Sequence, residues 1–168
     1  MLIAIVALFV IAGCADSATS VTPDTTTPAD FNLIFKYGVT ARNTLDTYEG
    51  TYTKDMIMDP PITIELRLSR EDMDKIYQKM LQIDFFSYPD TFAIAVTPGE
   101  SVSEVTPYST YFFKVTYANH TKELLWHDKI VRKDEKAERL KELIDLIRGI
   151  IESREEYKKL PEPRGGYL

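Results

Sequence analysis

Residues 2–12 carry neither a charge nor a polar side chain, and the run closes on Gly13-Cys14, the only cysteine in 168 residues. This arrangement fixes what the rest of the chain must fold without. The run is too short to span a bilayer, which takes about 20 apolar residues. Small residues before Cys14 and a polar tract after it give the order of an export leader and its cleavage site. Beyond Cys14 there is no thiol. The folded part is therefore expected to hold together without a disulfide, on an ordinary hydrophobic core. The chain past residue 30 suffices for one such domain and is too short for two.

Residues 15–30, ADSATSVTPDTTTPAD, contain Val21 as their one β-branched apolar residue and no aromatic. So little apolar surface cannot offset the entropy of ordering a segment. They are read as a disordered tether with a reach on the order of 20–25 Å. The net charge of −6 is partly a property of that tether, which holds Asp16, Asp24 and Asp30 and no base. The remainder is nearly balanced and forms no basic stripe, so no nucleic-acid partner is expected.

From Phe31 onward the pattern is that of packed structure. Phe31, Leu33, Phe35 and Tyr37 alternate with Asn32 and Lys36, the period of a half-buried strand. Residues 38–43 read as a turn. Residues 45–54 read as a second strand, with Tyr48 and Tyr52 on one face and Gly50 marking a bulge. Asp59-Pro60-Pro61 breaks the pattern, and residues 62–68 give the cleanest alternation in the chain. Ser69 then reads as an N-cap, with Asp72 at the capping-box position, for a helix whose stripe is Met73, Ile76, Tyr77, Met80 and Ile83.

Residues 84–88 form a packed exit ended by Pro89, and residues 97–107 read as a surface loop. Residues 111–117 and 122–127 form two strands joined by a turn at 118–121. A long amphipathic helix starts near Asp134 and runs through Ala137, Leu140, Ile144, Ile147 and Ile151, with acids early and Arg148 and Arg154 late. Strands, helix, strands, helix predict an α+β domain: an antiparallel sheet of about five strands with two helices packed on one face. The divisions are 1–13 for the leader, 14–30 for the tether, 31–160 for the domain and 161–168 for an extended tail.

Motifs for catalysis are lacking. His120 falls in a turn, and His127 and Asp128, as strand neighbours, point to opposite faces. No spacing suits a metal, which needs three or four clustered ligands, and no cofactor is expected. Neither a phosphate loop nor a nucleophile elbow occurs. Glu100 and Glu104, with Ser101 and Ser103 nearby, make the 97–107 loop a candidate for a small hydrolase or inhibitor, an alternative to the main reading. Paired loop acids are more commonly solvated. A binding role rests on aromatics: Tyr48, Tyr52, Tyr111, Tyr117 and Trp126 could offer stacking faces, although alternation favours sheet core. His127 joins Tyr48, Tyr52 and Trp126 as a candidate contact, and Met56 with Met58 beside Pro60-Pro61 would form an apolar edge. The tail, through Tyr157, Leu160, Tyr167 and Leu168, is expected to dock on its own domain.

Ile11-Ala12-Gly13-Cys14 resembles the lipobox of bacterial lipoproteins. It departs from their usual leader in having no Lys or Arg before the apolar run. The resemblance implies diacylglyceryl transfer to the Cys14 sulfur, cleavage before Cys14 and acylation of the freed amine. Lys36-Tyr37-Gly38-Val39, the stretch from Gly50 to Asp55, Ile83-Asp84-Phe85-Phe86 with Tyr88-Pro89, and Lys159-Leu160-Pro161-Glu162-Pro163 resemble segments of Bacillus-type envelope lipoproteins to which no activity is assigned. What this implies is a lipid-anchored protein on the extracytoplasmic face of the cell membrane. Its function is expected to be non-enzymatic binding of an envelope protein or cell-wall glycan, or, as a further alternative, a structural role in the envelope.

Overall fold

The computed structural model describes residues 26–167. The expected leader, Cys14, most of the tether and Leu168 lie outside them. The elements run β1 (Asn32–Tyr37), β2 (Asn43–Asp46), β3 (Thr51–Met56), β4 (Asp59–Glu65), α1 (Arg70–Gln82), a 3₁₀ turn (Phe85–Ser87), β5 (Thr91–Phe92), β6 (Ser103–Tyr117), β7 (His120–Val131), α2 (Glu135–Glu152) and α3 (Glu155–Lys158). The α+β class expected from the sequence is present, in a richer form. The sheet has seven strands in the order β4-β3-β2-β1-β6-β7-β5, and β5 lies parallel to β7, so it is mixed. A short third helix is added.

Alternation sorts the side chains onto two faces, and the registers align them into rows. On one face Ile64, Tyr52, Leu45, Phe35, Phe113 and Leu124 are successive cross-strand partners across six strands. All but Ile64 are fully buried. Burying a side chain of this size stabilises by roughly 1.5–3 kcal/mol. α1 and α2 cover that face with Ile76, Tyr77 and Met80 from the first and Leu140, Leu143, Ile144, Ile147 and Ile151 from the second. Ser69 and Asp72 close the capping box on α1, and the Asp134 side chain accepts from Ala137 N–H at the start of α2. Lys79–Glu142, at 2.6 Å, ties the two helices together, and Arg154, just past the end of α2, pairs with Asp72 on α1.

Several expectations are corrected. The stretch 45–54 is two strands, not one. The Asp46 carboxylate accepts from Tyr48 N–H at 3.0 Å and Glu49 N–H at 3.2 Å, and Gly50, at φ +68°, closes the turn in a conformation an L side chain rarely adopts. Pro60 and Pro61 sit inside β4, where an edge strand tolerates the missing N–H groups. The 97–107 loop is shorter than expected, because Ser103 to Pro107 already belong to β6. Folded structure also starts before Phe31: Thr27 is buried, its carbonyl accepts from Arg70, and Asp30 accepts the N–H groups of Ala118 and Asn119 at 2.8 and 2.7 Å.

Candidate functional site

Polar side chains enter the helix-covered face where β1 and β3 end. Tyr37 pairs with Asn43 across β1 and β2. The Tyr37 and Tyr52 hydroxyls lie 2.7 Å apart, and Tyr52 donates to Asn43 Oδ1 at 3.3 Å, which also accepts Asp55 N–H at 3.0 Å. Burial pushes the Tyr37 phenol up to about 12. Tyr52 is raised by burial first and then by its tyrosine neighbour. Both hydroxyls therefore stay protonated and serve as fixed dipoles.

Lys54, only 5% exposed, lies in phase with Tyr52 on this apolar face. A buried ammonium is costly unless partnered. Its partners are the Tyr157 ring, 5.0 Å below Nζ, the Pro161 carbonyl at 3.0 Å and Glu162 at 3.8 Å. Arg148 lies over the Tyr37 ring at 5.5 Å and bonds Glu152 at 3.2 Å, while its Nε is buried without an acceptor among the described residues. Asp55, also buried, accepts from Ile57 N–H at 3.1 Å, from the Thr40 hydroxyl at 3.3 Å and from the Tyr167 hydroxyl. These groups line a cavity of about 340 Å³. Its chemistry is that of recognition: fixed donors and acceptors with two cations stacked on tyrosine rings.

The opposite face of the sheet is covered by none of the described helices. Thr63, Thr53, Thr44, Lys36, Phe112, Leu125 and Thr91 are successive partners in one row across all seven strands. The next row reads Glu65, Thr51, Asp46, Ile34, Lys114 and Glu123. Neighbouring strands set these side chains about 4.8 Å apart. The result is a broad platform of hydroxyl and charged groups, with Ile34, Phe112 and Leu125 set among them on the central strands.

The aromatic candidates divide between the two faces. Tyr52 and Trp126 are core residues, 0% and 1% exposed, and have no free face to stack on a ligand; alternation put them on the covered side. Trp126 packs instead between Phe92 and Tyr111, with Lys141 over its ring. Tyr48, 42% exposed, lies at the β2–β3 turn and reaches Thr116 Oγ1 at 2.5 Å. His127 is exposed, with Nδ1 3.1 Å from Thr110 Oγ1 and its ring edge-on to Tyr108. Tyr48 and His127 thus contact points on β6 six residues apart, about 20 Å along the strand, and do not form one site. Met56 is buried, so the expected Met56–Met58 edge reduces to Met58, 76% exposed. Glu100 and Glu104 are ion-paired, with Arg132 at 3.0 Å and Lys129 at 3.3 Å. Among the described residues no group of His, Cys, Asp and Glu is placed to hold a metal, and no helix is long and apolar enough to cross a membrane.

The Lys54 cluster is assembled across strands and α2, and no sequence motif marks it. Its one visible signal was a lysine in phase with Tyr52 and Met56, a charge on an apolar strand face. Fold and site together define an α+β protein with a half-covered mixed sheet and a buried polar cluster at one end. Compared with known proteins, the chain matches no family model, and no curated protein is significantly similar to it.

Proposed function

We propose that this protein is a lipid-anchored binding module on the extracytoplasmic face of the cell membrane, held through Cys14, whose uncovered sheet face contacts a polar partner, an envelope protein or cell-wall glycan. The observation that carries the reading is the half-covered sheet. Thr44, Thr53 and Thr63 stand in one row beside Lys36, and Asp46, Lys114 and Glu123 stand in the next. Strand backbones hold these groups at fixed spacing, so little ordering entropy opposes binding. The ion pairs of Glu100 and Glu104 suit a solvated surface and weigh against the hydrolase alternative.

Two measurements test the two halves of the proposal. Cys14→Ser is expected to move the protein from the membrane fraction to the soluble one, and an unchanged membrane-bound product would refute the anchor. A photo-crosslinker at Thr53 is expected to capture an envelope component in intact cells. One at Glu138, exposed on α2, is expected to capture none. Equal capture from both positions would refute the assignment of the face.

A further inference from the structure

Past α3 the chain turns back along the end of β3 instead of leaving the domain. Leu160 packs against the core, and from Pro161 onward the anchoring contacts are polar. The Pro161 carbonyl accepts from Lys54 Nζ at 3.0 Å. Arg164 forks onto Asp59, with Nε 2.7 Å from Oδ2 and Nη2 on Oδ1, and its backbone bridges in parallel to Ile57. The Tyr167 hydroxyl donates to Asp55. The anchors fall at residues 161, 164 and 167. Three residues is the repeat at which an extended polyproline-type chain presents the same side, and Pro161 and Pro163 favour such a path. Gly165, at φ +82°, bends it, and a Cβ there would meet Met58 Sδ at 2.8 Å.

This segment is held lightly. Glu162, Gly165 and Gly166 are exposed, and the Arg164 side chain is 75% exposed. Surface ion pairs of that kind stabilise by roughly 0–1 kcal/mol. What lies beneath is different: Lys54 and Asp55 are buried charges that draw partners from the segment. The segment spans the 340 Å³ cavity without filling it. The Ile57-Met58 turn it touches is strained, with β-branched Ile57 at φ +61°. Strain of this type costs on the order of 1–3 kcal/mol and concentrates at ligand clamps.

We propose that the groove formed by Lys54, Asp55, the Ile57-Met58 turn and Asp59 is a recognition site for an extended segment of a partner protein. Residues 161–167 are its resident occupant, displaced when the partner segment binds. The groove selects a main-chain carbonyl for Lys54, a guanidinium three residues on for Asp59, and a phenol three further for Asp55. This is a second interaction surface, separate from the uncovered sheet face, and it does not depend on the lipid anchor.

The test uses the full-length purified chain and a fluorescein-labelled peptide of sequence LPEPRGGYL. Arg164→Ala combined with Tyr167→Phe loosens the resident segment and is expected to raise peptide affinity about tenfold or more, chiefly through loss of the charge-assisted bond from the Tyr167 hydroxyl to buried Asp55. Adding Asp59→Asn to that variant removes the capture. A peptide with its own Arg and Tyr replaced fails to bind. Circular dichroism and the melting temperature establish that each variant is folded. In the wild-type chain, the amides of residues 161–167 are expected to exchange well before the core. Three results would overturn the proposal: no peptide binding by the folded double variant, binding indifferent to Asp59→Asn, or tail exchange only with global unfolding. Concentration-dependent dimers of the wild-type chain with exchanged tails would make a second copy the occupant, and would overturn the assignment to a partner protein.

Discussion

At the residue scale, the Tyr37–Tyr52 pair makes stability depend on alkaline pH in a direction that can be worked out. Burial raises both phenols in the folded state, Tyr37 to about 12 against an ordinary value of 10.0. In the unfolded chain both ionise near that ordinary value. The unfolded state therefore sheds protons first as pH rises, and the stabilisation held by the neutral pair is complete below about pH 10 and falls above it, the Tyr37 share being lost between pH 10 and 12. The urea midpoint is expected to be flat from pH 8 to 9.5 and to fall steeply above 10. Tyr37→Phe should flatten that fall while costing about 1 kcal/mol at neutral pH, since the Tyr52 hydroxyl loses its buried partner. A midpoint that ignores pH up to 11.5 would contradict the burial. The pair was half legible in the sequence: alternation assigned both tyrosines to strands, but nothing local told that their hydroxyls meet, because they approach across β1, β2 and β3.

At the element scale, the two faces of the sheet should respond unequally to substitution. Phe35 is fully buried between Leu45 and Phe113, and Phe35→Ala is expected to cost 3–5 kcal/mol, as truncation of a buried aromatic does, so roughly. Thr53 on the other face is bonded to Thr63 Oγ1 at 2.8 Å, and Thr53→Ala should stay within about 0.5 kcal/mol. Ser69→Ala, which opens the α1 capping box, should cost about 1 kcal/mol. Urea titrations of the three variants check the ranking, and a Thr53→Ala cost near that of Phe35→Ala would mean the open face is packed. α1 was legible because its cap and its stripe are both local signals. The β2–β3 hairpin was not: Tyr48 and Tyr52 have the same parity, so alternation alone reads straight through the Asp46 turn. The alternation from Ile62 made most of β4 legible, while its start at Asp59-Pro60-Pro61 was obscured by prolines that only its edge position permits, and β5 by being two residues long.

At the scale of the whole molecule, the chain enters at one end of the sheet and the recognition groove lies at the other. Asp30 pins the entering chain to the β6–β7 turn through Ala118 and Asn119. The Lys54 cluster and the residue 161–167 segment sit where β1 and β3 finish. Between those ends β6 runs from Ser109, which lines the cavity, to Tyr117, about 26 Å of strand. No sequence period could reveal this polarity, because it depends on β1 pairing with the far half of β6, from Phe112 to Thr116. If Cys14 is acylated, the few residues expected to act as a tether before buried Thr27, with a reach of about 20 Å, would hold the Asp30 end near the lipid and direct the groove outward. Acylation also removes the chain's one native thiol, so an engineered cysteine can be labelled specifically. Thr121→Cys, next to the pinned turn, and Ser101→Cys, beside the start of β6, are both exposed positions. In vesicles carrying nitroxide-labelled lipid, a fluorophore at residue 121 is expected to be quenched severalfold more than one at residue 101. Equal quenching would mean that the domain lies flat on the membrane, with the two ends of β6 equally near the lipid.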